Sequence, residues 1–210
     1  MPDSLEQVAA EVRACKRCPL AVGRTRAVPG EGPFDAKVML VGEGPGYHED
    51  QQGRPFVGAS GQYLEELLAS IGLNRRQVYI ANVIKCRPPN NRDPEPAELA
   101  ACSSYLDRQI ELIRPWLIVT LGRFSMDRYF PGQSISRIHG RAKRVGDVCY
   151  LPMFHPAAAL RNPEWRQEMA KDIMHIPELL AELEAARAPK PQSPLAEEEA
   201  GGKFEQLSLF

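Results

Sequence analysis

Four continuous apolar runs of strand length constrain the fold of this chain most. They cover residues 37–43, 78–82, 116–122 and 148–154. A strand that is apolar throughout, without alternation, is typical of a sheet buried on both faces. Helical patterns lie between the runs, and strands that alternate with helices form a parallel sheet with right-handed crossovers. We therefore expect a three-layer α/β/α sandwich with a central four-stranded, mainly parallel sheet.

Further segments carry apolar residues at the spacing of a helix, and each predicts a helix packed on the sheet. They cover residues 4–14, 61–71, 94–114, 123–129 and 165–186. Pro177 lies inside the last segment and is expected to kink or restart that helix, because proline interrupts the helical hydrogen bonds.

The length of the chain allows one domain and an appendage. With 210 residues and 43% apolar content, the chain can bury one sizeable core. Residues 188–210 are rich in proline, glycine and acids and lack periodicity, which is typical of a disordered linker. We expect a folded domain over residues 1–187 and a disordered tail over residues 188–210.

The charge balance limits how the chain contacts nucleic acid. Lys and Arg number 26 against 27 Asp and Glu, a formal charge of −1, so a strongly basic coat protein is excluded and any DNA contact is local. No apolar run is long enough to cross a membrane, and the first residues lack the pattern of a secretory signal. We expect a cytoplasmic monomer without a membrane partner.

Four cysteines have a spacing that suits a metal centre. Cys15 and Cys18 form a C-x2-C pair, and Cys86 and Cys102 follow after gaps of 67 and 15 residues. Four thiolates can close a tetrahedral site for zinc or hold an iron–sulfur cluster, and their chemistry alone does not choose between the two. Unrelated buried thiols are the alternative interpretation. Cys149 lies inside an apolar run and is expected to pack in the core.

Residues with polar or conformational functions follow the apolar runs where each predicted strand ends. A glycine-rich turn over residues 42–46 follows the first run, Asn82 ends the second, Gly122 the third and His155 the fourth. Ligands of open α/β sheets bind outside the carboxyl ends of the strands. The candidate site therefore lies at this edge of the sheet.

Four stretches, in this order along the chain, resemble the family 4 uracil-DNA glycosylases, the iron–sulfur branch of the uracil-excising superfamily. They begin at Cys15 (CKRC), Gly42 (GEGPG), Asn82 (NVIKCRP) and His155 (HPAAAL), and the resemblance covers about residues 10–185. It implies a DNA repair enzyme that flips uracil out of DNA and hydrolyses its N-glycosidic bond, leaving an abasic site. It also implies a [4Fe–4S] cluster on the four spaced cysteines.

The resemblance assigns roles in a base pocket. Gly42 and Gly44 let backbone amides approach the base closely. Phe56 stacks on the flipped uracil, and Glu49 crowds the 5 position of the base and so excludes thymine. Asn82 carries an amide donor and an acceptor, so it can pair with O4 and N3–H of uracil but mismatches cytosine.

The resemblance also assigns the catalytic loop. It places His155 against O2 of uracil, where the imidazole donates a hydrogen bond that strengthens as negative charge develops on the leaving base. Gly44 stands where family 1 enzymes carry an aspartate near the attacking water, so water positioning falls to backbone groups and Glu43. The candidate catalytic residues are His155, Glu43 and Glu49.

Residues that follow or precede the catalytic loop are candidates for DNA contact. Leu160 and Arg161 follow the His-Pro stretch and are expected to enter the base stack as a wedge, with simple loop exposure as the alternative. Arg137 and Arg141 belong to a basic segment and are expected to contact phosphates. A solvated charged face is the alternative for these arginines.

The last residues resemble the bacterial sliding-clamp binding pentapeptide of the form Q-L-x-L-F. An apolar end on a polar linker favours a docking role, and the alternative is that the peptide packs on its own domain. The expected anchors are Gln206, Leu207, Leu209 and Phe210.

Two other functions stay open at this point. One is a non-catalytic iron–sulfur DNA-binding protein with the same fold, and the other is a relative that crosslinks covalently to uracil-DNA. Release of free uracil over many turnovers separates both from a monofunctional glycosylase.

Overall fold

The structure, a computed structural model, describes residues 3–187. The predicted tail over residues 188–210, with the clamp-binding residues Gln206, Leu207, Leu209 and Phe210, lies outside the described residues. Among residues 3–187, no helix combines the length and the apolar character that a membrane span needs.

One mixed sheet organises the fold. Its strands are β1 (Val38–Gly42), β2 (Val78–Asn82), β3 (Leu117–Leu121), β4 (Lys143–Val145) and β5 (Val148–Met153). Their order in the sheet is β2-β1-β3-β5-β4, and all neighbours are parallel except β4 and β5. Every residue of β1, β2 and β3 is buried, which is why these strands read as unbroken apolar runs.

The sheet has five strands, so the expected number of four is wrong by one edge strand. β4 is antiparallel to β5 and all its residues are exposed. Gly146, with φ +61°, lies in the turn between the two strands. A three-residue strand that carries Lys143 and Arg144 has no apolar signal, and its short, charged edge discourages pairing with another chain.

The helices connect these strands and follow them. They are α1 (Leu5–Ala14), α2 (Leu20–Gly23), α3 (Tyr47–Gln52), α4 (Ala59–Ser70), α5 (Pro96–Ile113), α6 (Arg123–Asp127), α7 (Ile135–Ile138), α8 (Pro156–Ala159), α9 (Pro163–Asp172) and α10 (His175–Arg187). The predicted last helix is two helices, and the break precedes Pro177, which lies in the first turn of α10. Proline is tolerated there because the first N–H groups of a helix have no intrahelical partner.

Helices cover both faces of the sheet and complete the three-layer α/β/α sandwich, as predicted. On one face, Leu40 and Val119 pack with side chains of α4, α9 and α10. On the other face, Met39 and Ile118 pack with α5. A third cluster joins α1 and α5 to the cysteine-bearing segments. Cys149 is buried in the first cluster, as expected for a core residue.

Candidate active site

A cleft of about 740 Å³ opens at the carboxyl ends of the parallel strands. The predicted site residues that line it are Glu43, Gly44, Glu49, Phe56, Asn82, His155, Leu160 and Arg161. The fold thus brings together residues that are more than a hundred positions apart in sequence. Arg137 and Arg141 are exposed and lie outside the cleft lining.

Gly42 makes room for the two side chains at the base of the cleft. It is paired with Asn82 across β1 and β2. A Cβ at position 42 would lie 2.4 Å from Oδ1 of Asn82 and 2.6 Å from Cζ of Phe56, distances that no real side chain shows. The glycine that ends β1 is therefore needed for the position of Asn82 and Phe56.

Asn82 presents an unsatisfied hydrogen-bond acceptor at the cleft. The residue is 2% exposed, and its Oδ1 has no hydrogen-bond partner among the described residues. A buried polar atom without a partner costs roughly 1–3 kcal/mol. A ligand that brings an N–H donor into the cleft would recover that cost.

The backbone of Phe56 is held in an unusual conformation. Its φ of +50° lies in the left-handed region, which costs a residue with a Cβ roughly 1–2 kcal/mol. Arg75 donates to the carbonyl oxygens of Pro55 and Phe56 over 2.8 and 3.1 Å. A Cβ at Gly61 would lie 2.0 Å from the Phe56 carbonyl oxygen. These contacts fix the Phe56 ring, which stacks with His155 at 5.7 Å between centroids and 29° between planes.

The tautomer of His155 is set by the helix that follows it. His155 is the N-cap of α8, and its Nδ1 accepts a hydrogen bond of 3.1 Å from the Ala157 N–H. Burial lowers the pKa of His155 to about 4, against a smaller opposite effect of Glu49. The imidazole is therefore neutral at physiological pH, and because Nδ1 accepts, Nε2 carries the proton. His155 is a neutral donor.

Glu43 lies beside His155 with a perturbed carboxyl group. Burial, followed by the negative charge of Asp93, raises the pKa of Glu43 to about 7, although the N–H groups of Phe124 and Arg123 favour its charged form. Gly122 permits this arrangement, because a Cβ there would lie 2.4 Å from Glu43 Oε1. Both protonation states of Glu43 are thus populated near neutral pH.

Glu49 holds the wall of the cleft. Its Oε1 accepts hydrogen bonds from the N–H groups of Val57 (2.8 Å) and Gly58 (2.9 Å), and its Oε2 accepts from Gly46 (3.1 Å). Glu49 as a whole residue is 8% exposed. These bonds join the turn after β1 to the turn that carries Phe56, so Glu49 supports the pocket in addition to any contact with a base.

The sequence is similar to that of proteins known to excise uracil. Residues 29–184 match the family model of the Uracil DNA glycosylase superfamily. The chain belongs to this superfamily. The matched range contains the glycine turn, Asn82 and His155, whereas Cys15 and Cys18 precede it.

Several relatives are type-4 uracil-DNA glycosylases. The protein of Sulfurisphaera tokodaii is 50% identical over 84% of this chain and 85% of its own length. The protein of Archaeoglobus fulgidus is 46% identical over 84% and 94%, and that of Thermotoga maritima 45% identical over 80% and 91%. Within the superfamily, the chain therefore belongs to the type-4 family.

The fold brings the four predicted cysteine ligands of this family member into one cluster. Cys86 and Cys102 are buried there, and Cys15 and Cys18 pack against them. Hydrogen bonds reach three of the sulfur atoms, from Arg24 Nη1 to Cys86 (2.9 Å) and from backbone N–H groups to Cys15 and Cys102. Within residues 3–187, no group of three or more Cys, His, Asp or Glu side chains is placed to hold a single metal ion.

The rim of the cleft exposes apolar and basic side chains. Leu160 is 42% exposed and Tyr47 is 54% exposed. The guanidinium of Arg87 lies 5.2 Å from the centroid of the Tyr47 ring. Asn90 and Asn91, in the loop beside Arg87, both have φ of +53°. The rim therefore offers aromatic, apolar and cationic groups at one face.

The supporting roles of three residues were not identified from sequence. Gly61 and Gly122 lie inside and before helices, and only the fold reveals which side chains they accommodate. Lys85 stands between Asn82 and Cys86 and looks like an ordinary surface lysine in the sequence, but it is 1% exposed. Its position directly after the apolar residues Val83 and Ile84 was the available signal.

Proposed function

We propose that this chain is a uracil-DNA glycosylase that hydrolyses the N-glycosidic bond of deoxyuridine in DNA, releases free uracil and leaves an abasic site for repair. Uracil excision is the activity named in its type-4 relatives. The observation that carries the proposal is the meeting of Asn82, Phe56 and His155 at one cleft. Each supplies a different part of what uracil requires.

Asn82 reads the base in this mechanism. Its buried Oδ1 accepts from N3–H of uracil, and its Nδ2 donates to O4. Cytosine presents an acceptor at N3 and a donor at position 4, so the same amide is mismatched on both atoms. Phe56, held by the Arg75 hydrogen bonds to its backbone and by the close packing of Gly61, supplies the face on which the flipped base stacks.

His155 stabilises the leaving group. Cleavage builds negative charge on uracil O2, and the neutral Nε2–H donates to that oxygen without having to lose or gain a proton. A donor that is aligned before the reaction favours the transition state over the bound substrate. The N-cap bond from Ala157 keeps the ring in this orientation.

Glu43 acts on the attacking water and on the sugar. Its ionised form accepts a hydrogen bond from water and places negative charge near the developing positive charge of the sugar. The pKa of about 7 means that the ionised fraction rises through the neutral range. Glu49 holds the pocket wall beside the base and, through that wall, limits the space at the 5 position.

DNA is held by the rim. Leu160 and Arg161 enter the base stack in place of the flipped nucleotide. Arg137 and Arg141 contact phosphates farther from the cleft. Extraction of the base costs a few kcal/mol, least in a single strand or weak pair.

The four cysteines fit a thiolate-bound centre, which we propose is a [4Fe–4S] cluster. Their chemistry, their packing in one cluster and the hydrogen bonds to their sulfur atoms support this set. Such hydrogen bonds tune sulfur-ligated iron. When bound, the [4Fe–4S] cluster supplies a covalent tie between the N-terminal segment, the segment after β2 and α5.

Clamp binding through Gln206–Phe210, a monomeric state and a cytoplasmic location stay predictions.

A single incubation tests the proposed function. Full-length protein is mixed with a labelled oligonucleotide that contains one uracil, and alkali then cleaves abasic sites. We expect stoichiometric excess of cleaved DNA over enzyme, and none with a matched thymine oligonucleotide. Binding without cleavage would instead support the non-catalytic alternative, and an adduct stable on a denaturing gel would support the crosslinking alternative. A colourless protein with stoichiometric zinc would contradict the cluster.

A further inference from the structure

Lys85 is a buried cation between the base pocket and the cysteines. It is 1% exposed and belongs to the largest fully buried side chains. Its Nζ donates to the backbone carbonyl of Asn82 over 2.9 Å and to Oε1 of Gln109 over 2.7 Å. Gln109 is held in turn by bonds from its Nε2 to the Pro29 carbonyl and the Tyr79 hydroxyl. The lysine is therefore fixed in place.

The hydrogen-bond acceptors of this ammonium group are neutral. Among the ion pairs formed by residues 3–187, none includes Lys85. A buried charge without an opposite charge is costly. The cysteine centre is the adjacent source of negative charge, because Lys85 directly precedes Cys86 and the backbone N–H of Lys85 donates to Cys102 Sγ over 3.3 Å.

The same residue controls the backbone of the base reader. β2 ends at Asn82, and the next two residues bond back to the turn after β1, from Val83 N to the Gly42 carbonyl and from Ile84 N to the Glu43 carbonyl. The Lys85 side chain then folds back onto the Asn82 carbonyl. Lys85 thus contacts the backbone of the base pocket through its side chain and directly precedes Cys86 of the thiolate centre.

We propose that Lys85 is a positioning residue that serves as the buried counter-charge of the four-cysteine centre and, through the Asn82 carbonyl, couples that centre to uracil recognition. The inference rests on the proposed function, because it takes Asn82 as the reader of uracil. Arg24 is a second cation at the centre, bonded to Cys86 Sγ and to the carbonyls of Arg13 and Cys15. Arg24 has no bond to Asn82, so it provides the comparison.

The test compares three variants of the full-length, iron-loaded protein. Lys85→Met removes the charge and keeps an unbranched side chain that is one heavy atom shorter. Arg24→Met removes the other cation, and Lys37→Met removes a half-exposed surface lysine that pairs with Glu184. The midpoint potential of the centre is measured by spectroelectrochemistry, and the single-turnover rate on uracil DNA is measured at saturating enzyme.

For Lys85→Met we expect a more negative midpoint potential, because loss of a nearby cation disfavours the reduced, more negative centre. We also expect a rate loss of roughly 10–100-fold, the size of effect that a small displacement of a reading group produces. Arg24→Met should also lower the midpoint potential, but its rate loss should be about ten times smaller than that of Lys85→Met. Lys37→Met should change neither property.

Two results would overturn the proposal. An unchanged potential in Lys85→Met removes its role as counter-charge, and equal rate losses in Lys85→Met and Arg24→Met remove the coupling. If Lys85→Met does not fold, Lys85→Gln removes the same charge and must show the same fall in potential. Absence of uracil release by the unmodified protein would contradict the proposed function instead, while the potentials still test the charge role.

Discussion

Replacement of His155 by alanine is the most direct test of how the leaving group is stabilised. In the proposed mechanism one N–H donor faces the base, Nε2 of a neutral ring whose Nδ1 accepts a hydrogen bond from Ala157 N. Loss of one aligned donor to a developing anion costs roughly 100- to 1,000-fold in rate, or about 3–4 kcal/mol. His155→Ala should therefore lower the single-turnover rate by at least about 100-fold while DNA affinity changes little.

The assay follows cleavage of a uracil oligonucleotide at saturating enzyme, quenched in alkali at successive times. His175→Ala is the matched control, because His175 is exposed at the start of α10 and lies outside the cleft. Because the pKa of His155 is about 4, the titration of His155 should contribute no change in rate between about pH 6 and 8, and an inflection in that range belongs to another group. A His155→Ala rate within about threefold of the unmodified protein would refute the donor role.

Other perturbations probe the remaining parts of the pocket. Asn82→Asp should reduce uracil release and raise cytosine release, because a carboxylate accepts but does not donate; parallel oligonucleotides measure both. The uracil rate should rise with pH around the Glu43 pKa of about 7, and Glu43→Gln should abolish this inflection. Because burial raises that pKa above its value in the unfolded chain, the contribution of Glu43 to the free energy of unfolding falls as pH rises from about 4.5 to 7. The free energy of unfolding of Glu43→Gln should therefore be up to ~3 kcal/mol higher than that of the unmodified protein in denaturant melts at pH 8. Gly61→Ala should cost about 1–3 kcal/mol and displace Phe56, whereas Gly23→Ala, with open space around its Cβ, should cost little; thermal unfolding compares the two.

The sequence predicted the parts of the fold whose signal is local. The four apolar runs became the strands β1, β2, β3 and β5, whose bounds differ by at most one residue at each end. The first three are buried throughout, and burial on both faces leaves a continuous apolar pattern. β4 was missed because an exposed edge strand carries no such pattern. The break before Pro177 was misplaced because that proline fits in the first turn of a helix.

The candidate site was predictable where strand ends define it. Asn82 and His155 meet in one cleft because the carboxyl ends of parallel strands share an edge. The bonds of Glu49 to Val57 and Gly58 were not predictable, because they depend on how two turns meet in space. The burial of Lys85 was hidden for the same reason, since one polar residue beside a strand does not reveal which side of the chain is covered.

The bonds of Glu49 mean that the pocket is complete before DNA arrives. Three N–H groups from two separate turns donate to one carboxylate, so the wall of the pocket is held rigidly and does not adjust to the bound base. A preformed pocket of this kind selects a base by its fixed dimensions, and a base that does not fit is excluded. We expect the rate of base excision to follow how easily the base flips out of each DNA sequence, and to depend little on any rearrangement of the protein.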